Sequence, residues 1–121
     1  MTAFSDLAQP SPLFRQHEYV YQGKAYNDLW FWCPGCESHH CIDAARWTFN
    51  GDYHAPTFDP SYRTWNDPDP RAAEGSKYRT GWNCHSYIRN GQIEFLPDCT
   101  HKLAGQTVPI PQWDDNRKCV D

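Results

Sequence analysis

The residues best equipped for chemistry fall into two groups. Cys33-Pro34-Gly35-Cys36 brings two thiols together across a Pro-Gly turn, and Cys84, His85, Cys99 and His101 form a second Cys/His group further along. Pro presets φ for a tight turn and Gly tolerates the geometry that closes it, so this Cys-x-x-Cys aims both sulfurs at one ion. Two such groups on a short chain point to one structural zinc. Thiolate donors favour zinc over calcium or magnesium. Cys33 and Cys36 supply two ligands, and Cys84 and Cys99 are the first choice for the other two. Adjacent Cys84 and His85 diverge, so one ion does not take both. A three-Cys site completed by His85 is the main alternative, and His101, with the parity of Cys99, could replace it. The candidate metal residues are Cys33, Cys36, Cys84, Cys99 and His85, and no catalytic residue is assigned.

Other reactive side chains read more plainly. A thioredoxin-like redox pair needs a helix N-terminus after its first Cys, and Glu37-Ser38-His39-His40-Cys41 does not look like a helix start. His40 reads as a packed or surface histidine before a thiolate partner, and Cys41 as a small apolar filler. Cys119 falls in an expected tail. Asp98, beside Cys99, is placed to hydrogen-bond His85 or His101, with a plain turn residue as the alternative.

The elements that must position these groups are mostly strands. His17 to Gln22, Leu29 to Cys33 and Arg46 to Asn50 read as strands, and Pro56 to Ser61 as a rigid extended piece. The clearest unit is Ser86-Tyr87-Ile88-Arg89, then Asn90-Gly91, then Gln92-Ile93-Glu94-Phe95-Leu96, because Asn-Gly between alternating hydrophobics specifies a two-residue hairpin. Its register pairs Ile88 with Ile93 and Ser86 with Phe95. Alternation then puts Trp82, Cys84, Ile88, Ile93, Phe95 and Cys99 on one apolar face, and His85 and Asp98 on the other. A short helix is expected near Arg71 to Ser76 in a long polar loop over 65–81. Residues 1–16 read as an N-terminal arm, either disordered or strapped onto the body or a partner, 17–111 as a zinc-stapled β domain and 112–121 as a polar tail. The fold class expected is mostly β: a small single-domain antiparallel fold with a zinc knuckle, long loops and little helix.

Composition agrees with that class. In 121 residues, ten Pro and seven Gly discourage long helices, and much of the 39% hydrophobic content is aromatic. Trp30, Phe31, Trp32, Trp47 and Phe49 are expected to form core rather than a stacking platform. A thin core in so short a chain calls for a staple. The net charge of −4 argues against a general nucleic-acid binder. Neither a secretory signal nor an apolar membrane span is recognisable, and six Cys in a cytosolic setting read as ligands or free thiols.

Several segments together resemble a family of small phage and prophage proteins of uncharacterised function. They are Trp32-Cys33-Pro34-Gly35-Cys36, His40, Trp47-Thr48-Phe49-Asn50-Gly51-Asp52, Pro56-Thr57-Phe58 with Pro60-Ser61, Cys84-His85-Ser86-Tyr87, Asn90 to Leu96, and Asp98-Cys99-Thr100-His101 with Leu103 to Val108. Members are often labelled ammonia monooxygenase. That label does not suit this chain, because the chemistry belongs to a membrane copper enzyme. The resemblance implies a tailed-phage origin and a zinc-binding β domain, and it brings no catalytic residues.

The function expected is therefore a phage-encoded zinc-binding protein without catalytic activity. It would act as a protein-interaction or minor virion-associated module in the host cytoplasm or the virion. Its partner would be a virion component or host factor, with self-association also compatible. One alternative is a zinc-dependent hydrolase using His40, His101 and Asp98 around a metal-bound water, although no HExxH is present. The other is a nucleic-acid-binding zinc-ribbon-like protein.

Overall fold

The computed structural model describes residues 4–119. The extreme ends of the expected arm and tail, residues 1–3 and 120–121, lie outside them. Among the described residues, nine strands form two antiparallel sheets. The first sheet has the order β1 (Ala8–Ser11), β2 (Phe14–Tyr21), β3 (Lys24–Cys33), β4 (Ser38–Asp43). The second has the order β5 (Thr48–Phe49), β6 (Phe58–Asn66), β7 (Trp82–Arg89), β8 (Gln92–Phe95), β9 (Thr107–Pro109). Within each sheet every strand pairs with its neighbour in sequence; tight turns join β2 to β3 and β7 to β8, while β6 reaches β7 through the long loop over 67–81 and β8 reaches β9 through residues 96–106.

The turns follow from their residues. Asn90 and Gly91 both adopt positive φ, 52° and 78°, as a two-residue hairpin with right-handed strands requires. The ladder pairs Ile88 with Ile93 and Ser86 with Phe95, the register expected from sequence. Gln22 and Gly23 do the same for β2 and β3. At the Cys33–Cys36 turn the Glu37 N–H closes on the Cys33 carbonyl at 2.8 Å, with Glu37 at positive φ.

Alternation along the strands builds one core between the sheets. Phe14, Leu29, Phe31 and Ile42 come from the first sheet. Phe58, Tyr62, Ile88, Ile93 and Phe95 come from the second, with Ile110 closing one side. Cys33, Cys36, Cys84 and Cys99 belong to the same cluster. The metal-ready thiols therefore lie inside the sandwich.

Three boundaries differ from the sequence expectation. The arm is not separate: residues 8–11 form an edge strand and Phe14 is fully buried. Leu7 and Phe14 are the apolar anchors that make this ordering favourable. The polar tail is docked through buried Trp113, whose backbone N–H reaches the Pro12 carbonyl at 2.8 Å. The helix in the long loop is a single turn, α1 (Lys77–Thr80), and it follows the expected segment. Ser76 caps it by accepting the Tyr78 N–H.

Candidate functional site

β7 carries the chemistry on both of its faces. Successive side chains on a strand point opposite ways, so Cys84 turns into the core while His85 turns outward. The buried face meets the Cys33–Cys36 turn and β4. There Cys33, Cys36, His40 and Cys84, all buried, offer ligand atoms that lie within 4.8 Å of one another. The Cys33 and Cys84 sulfurs are 3.9 Å apart. The Cys36 N–H and the Trp82 indole N–H donate to the Cys33 and Cys36 sulfurs at 3.4 and 3.3 Å.

This donor set fits a cation. Hydrogen bonds from Cys33 and then Cys84 hold the Cys36 thiol far below its ordinary pKa. Donating to Cys36 pushes Cys33 up to about 12, and Cys84 is raised chiefly through its contacts with Cys33 and Cys36. The three thiols crowd together, so a charge on one opposes ionisation of its neighbours. His40 Nε2 is buried and lacks a hydrogen-bond partner among the described residues, an arrangement that generally costs about 1–3 kcal/mol. A metal ion would relieve both problems, and Cys33, Cys36, Cys84 and His40 are the residues that would hold it.

Cys84, Cys99 and His101 form a second close group, but its bonding suits a support. His101 Nδ1 accepts the Leu103 N–H at 3.2 Å, so its Nε2 carries the proton and faces Cys84 Sγ at 3.5 Å. Gly35 makes room for this ring: a Cβ there would collide with His101. Burial raises the Cys99 pKa, so it stays a thiol. Its Sγ accepts the His85 N–H at 3.3 Å and donates to the His85 carbonyl at 3.1 Å.

The outward face of β7 presents a different arrangement. His85 Nδ1 lies 3.2 Å from Asp98 Oδ2, and His85 Nε2 lies 3.0 Å from Ser61 Oγ. A carboxylate only accepts, so Nδ1 carries the proton and Nε2 of the neutral ring accepts from the Ser61 hydroxyl. Ser61 owes its position to a bulge. Between the pairs Phe58–Ile88 and Tyr62–Ser86, the β6 residues Asp59, Pro60 and Ser61 stand opposite Tyr87 alone. Bulges re-aim side chains in this way. The Trp47 indole N–H reaches the Ser61 carbonyl at 3.5 Å.

Asp98 is brought to His85 by the chain after β8. The Leu96 N–H donates to the His85 carbonyl and the Cys99 N–H to the Leu96 carbonyl, folding residues 96–99 back over β7. Asn83 then fixes the carboxylate, donating from Nδ2 to Asp98 Oδ2 at 3.1 Å and to the Asp98 carbonyl at 3.0 Å. Desolvation opposes ionisation of Asp98, but the hydrogen bonds from His85 and Asn83 outweigh it and hold the carboxyl below its ordinary pKa.

Of the sequence candidates, the structure gathers Cys33, Cys36 and Cys84 at one point. It places Cys99 beside them with its sulfur engaged by the His85 backbone. Both ring nitrogens of His85 are turned to Ser61 and Asp98. Asp98 meets His85, one of the two histidines it was expected to reach. His40 joins the thiols, and its signal was the alternation of β4, which turns His40 and Ile42 inward together. Ser61 had no signal in strand pattern or nucleophile motif.

A serine hydroxyl, an imidazole and a carboxylate hydrogen-bonded in series form the constellation of serine hydrolases, which recurs on unrelated folds. Over residues 6–96 the sequence matches the model of the BubE family, described as bacterial ubiquitination-like system serine protease, and the chain belongs to that family. The matched segment holds Ser61 and His85, and Asp98 follows it by two residues. No curated protein and no solved structure matches the chain. Membership of a bacterial serine protease family overturns the expectation of a non-catalytic phage module. That expectation gave the Cys33, Cys36, Cys84, His85 and Cys99 group a scaffold role and left the serine unread. No helix among the described residues is long and apolar enough to cross a membrane.

Proposed function

We propose that the chain is a serine peptidase acting in a bacterial ubiquitination-like system, with Ser61 as nucleophile, His85 as general base and Asp98 as its orienting carboxylate. The observation that carries this reading is the Ser61–His85–Asp98 hydrogen-bond series, 3.0 and 3.2 Å long, together with the family match. The substrate would be an acyl linkage of that system, the class of bond that joins a small modifier protein to its target.

In this reading Ser61 Oγ attacks the scissile carbonyl while His85 Nε2 takes its proton. Asp98 keeps Nδ1 protonated and stabilises the imidazolium that forms. His85 then gives the proton to the leaving amine, and the Ser61 acyl ester remains. Water attacks that ester with His85 again as base, releasing the acid and restoring the serine. Asn83 and Cys99 are positioning residues: Asn83 sets the carboxylate and Cys99 the His85 backbone.

The metal of the inner site is read as one structural zinc held by Cys33, Cys36, Cys84 and His40. Three thiolates and an imidazole are a zinc donor set. With four protein ligands the ion supplies folding free energy.

A fluorophosphonate probe tests the nucleophile. The folded wild-type chain is expected to acquire one adduct, located at Ser61 by peptide mass spectrometry. Ser61→Ala and His85→Ala should acquire none while keeping the wild-type melting temperature within a few degrees. Folded wild-type protein that stays unlabelled at Ser61 would refute the reading.

A further inference from the structure

We propose that Arg63 forms a carboxylate-binding subsite beside the nucleophile, so that this peptidase favours substrates with a carboxylate close to the scissile bond. The inference rests on the Ser61 reading and adds to it the chemical class that the site selects. Arg63 follows Ser61 by two residues on β6 and is the cross-strand neighbour of His85. Cross-strand neighbours project from the same face of a sheet, so the guanidinium stands on the face that carries the triad.

Two contacts hold it there. Arg63 Nε donates to Asn83 Oδ1 at 2.6 Å, and the guanidinium carbon lies 4.6 Å from the centre of the Trp65 ring. Arg63 is nevertheless exposed and has no carboxylate partner among the described residues. A planar fork that is oriented, solvent-facing and unneutralised suits bidentate recognition of a carboxylate. The chain carries a net charge of −4, so its general field repels such a group and the local cation must provide the attraction. Asn83 connects the two functions, because the amide that orients Asp98 also orients Arg63.

The carboxylate could be an acidic side chain or a chain terminus, and the test separates them. Fluorophosphonates that differ only in their tails, ending in carboxylate, carboxamide or ammonium over a short series of spacer lengths, are reacted with the full chain. The rate of adduct formation at Ser61 is measured. The wild type is expected to react about fivefold faster with the best carboxylate tail than with its carboxamide, a ratio fitting one exposed ion pair. Arg63→Gln should abolish that ratio, and Arg63→Glu should reverse it in favour of ammonium, both without a change in melting temperature. Slowing of labelling by acetyl-Ala-Glu-Ala-amide identifies a side-chain carboxylate, and slowing by acetyl-Ala-Ala-Ala with a free terminus identifies a chain end. Equal rates for carboxylate and carboxamide tails at a well-labelled Ser61 would overturn the subsite and leave the nucleophile standing. Absence of any Ser61 adduct would overturn both.

Discussion

Cys99 meets the His85 backbone and the thiol cluster through one atom, its Sγ, and replacing it by alanine separates their requirements. The substitution removes a sulfur that accepts the His85 N–H and donates to the His85 carbonyl. The carbonyl keeps a partner, the Leu96 N–H at 2.9 Å. The His85 N–H is left without one in a place where Cys99 is buried. An orphaned buried N–H costs about 1–3 kcal/mol, and the lost sulfur contact adds about 1 kcal/mol of apolar burial. A total of about 3 kcal/mol lowers the melting temperature of a domain this size by about 10 °C. Labelling of Ser61 should slow because the His85 backbone loses its latch, while metal content stays at the wild-type level. Cys99→Ser keeps a donor and an acceptor and should recover part of both losses. Thermal melts, elemental analysis and the rate of fluorophosphonate labelling read the three quantities. Loss of bound metal in Cys99→Ala would make Cys99 a ligand and refute the assignment of His40. An unchanged melt would refute the latch.

Two further outcomes follow from the inner site. Purified protein should contain about one zinc per chain; stripping it with a chelator, or His40→Ala, should unfold the domain or lower its melting temperature sharply, since structural zinc contributes directly to folding. A metal-free chain with an unchanged melting temperature would count against the site. Gly35→Ala should destabilise by about 1–3 kcal/mol, because the new methyl displaces the His101 ring that packs on the knuckle; a denaturant melt measures this, and wild-type stability would show that the ring is free to move.

Much of the scaffold was readable from local chemistry. Asn90-Gly91 fixed a hairpin, and the hairpin fixed the register from Ser86–Phe95 to Arg89–Gln92; Asp98 lies beyond that ladder and meets His85 because residues 96–99 fold back over β7. The knuckle was legible because Cys33, Cys36 and their Pro-Gly turn are contiguous. Ser61 was not legible, since a serine becomes a nucleophile only beside a base, and its base lies on another strand. The bulge that aims it is a property of the β6–β7 pairing and leaves no local signature. The segments that carry the family resemblance contain Ser61, His85 and Asp98, but a linear sequence does not show the geometry that joins them. His40 was missed because adjacent His39 and His40 look alike until β4 is paired with β3. Whether the arm straps onto the body stayed open because β1 is short and polar, and its order comes from pairing with β2 and from Phe14.

The side-to-side alternation of β7 has a consequence for how this chain can vary. A slip or an insertion of one residue between Trp82 and Ser86 would turn every side chain to the opposite side. It would hand a metal thiol to solvent and an imidazole to the sandwich interior in the same event. Loss of either centre alone is open to point substitution, but a change of length here removes both together. The polar loop before α1 has no such constraint, so natural length differences should collect there and spare this strand.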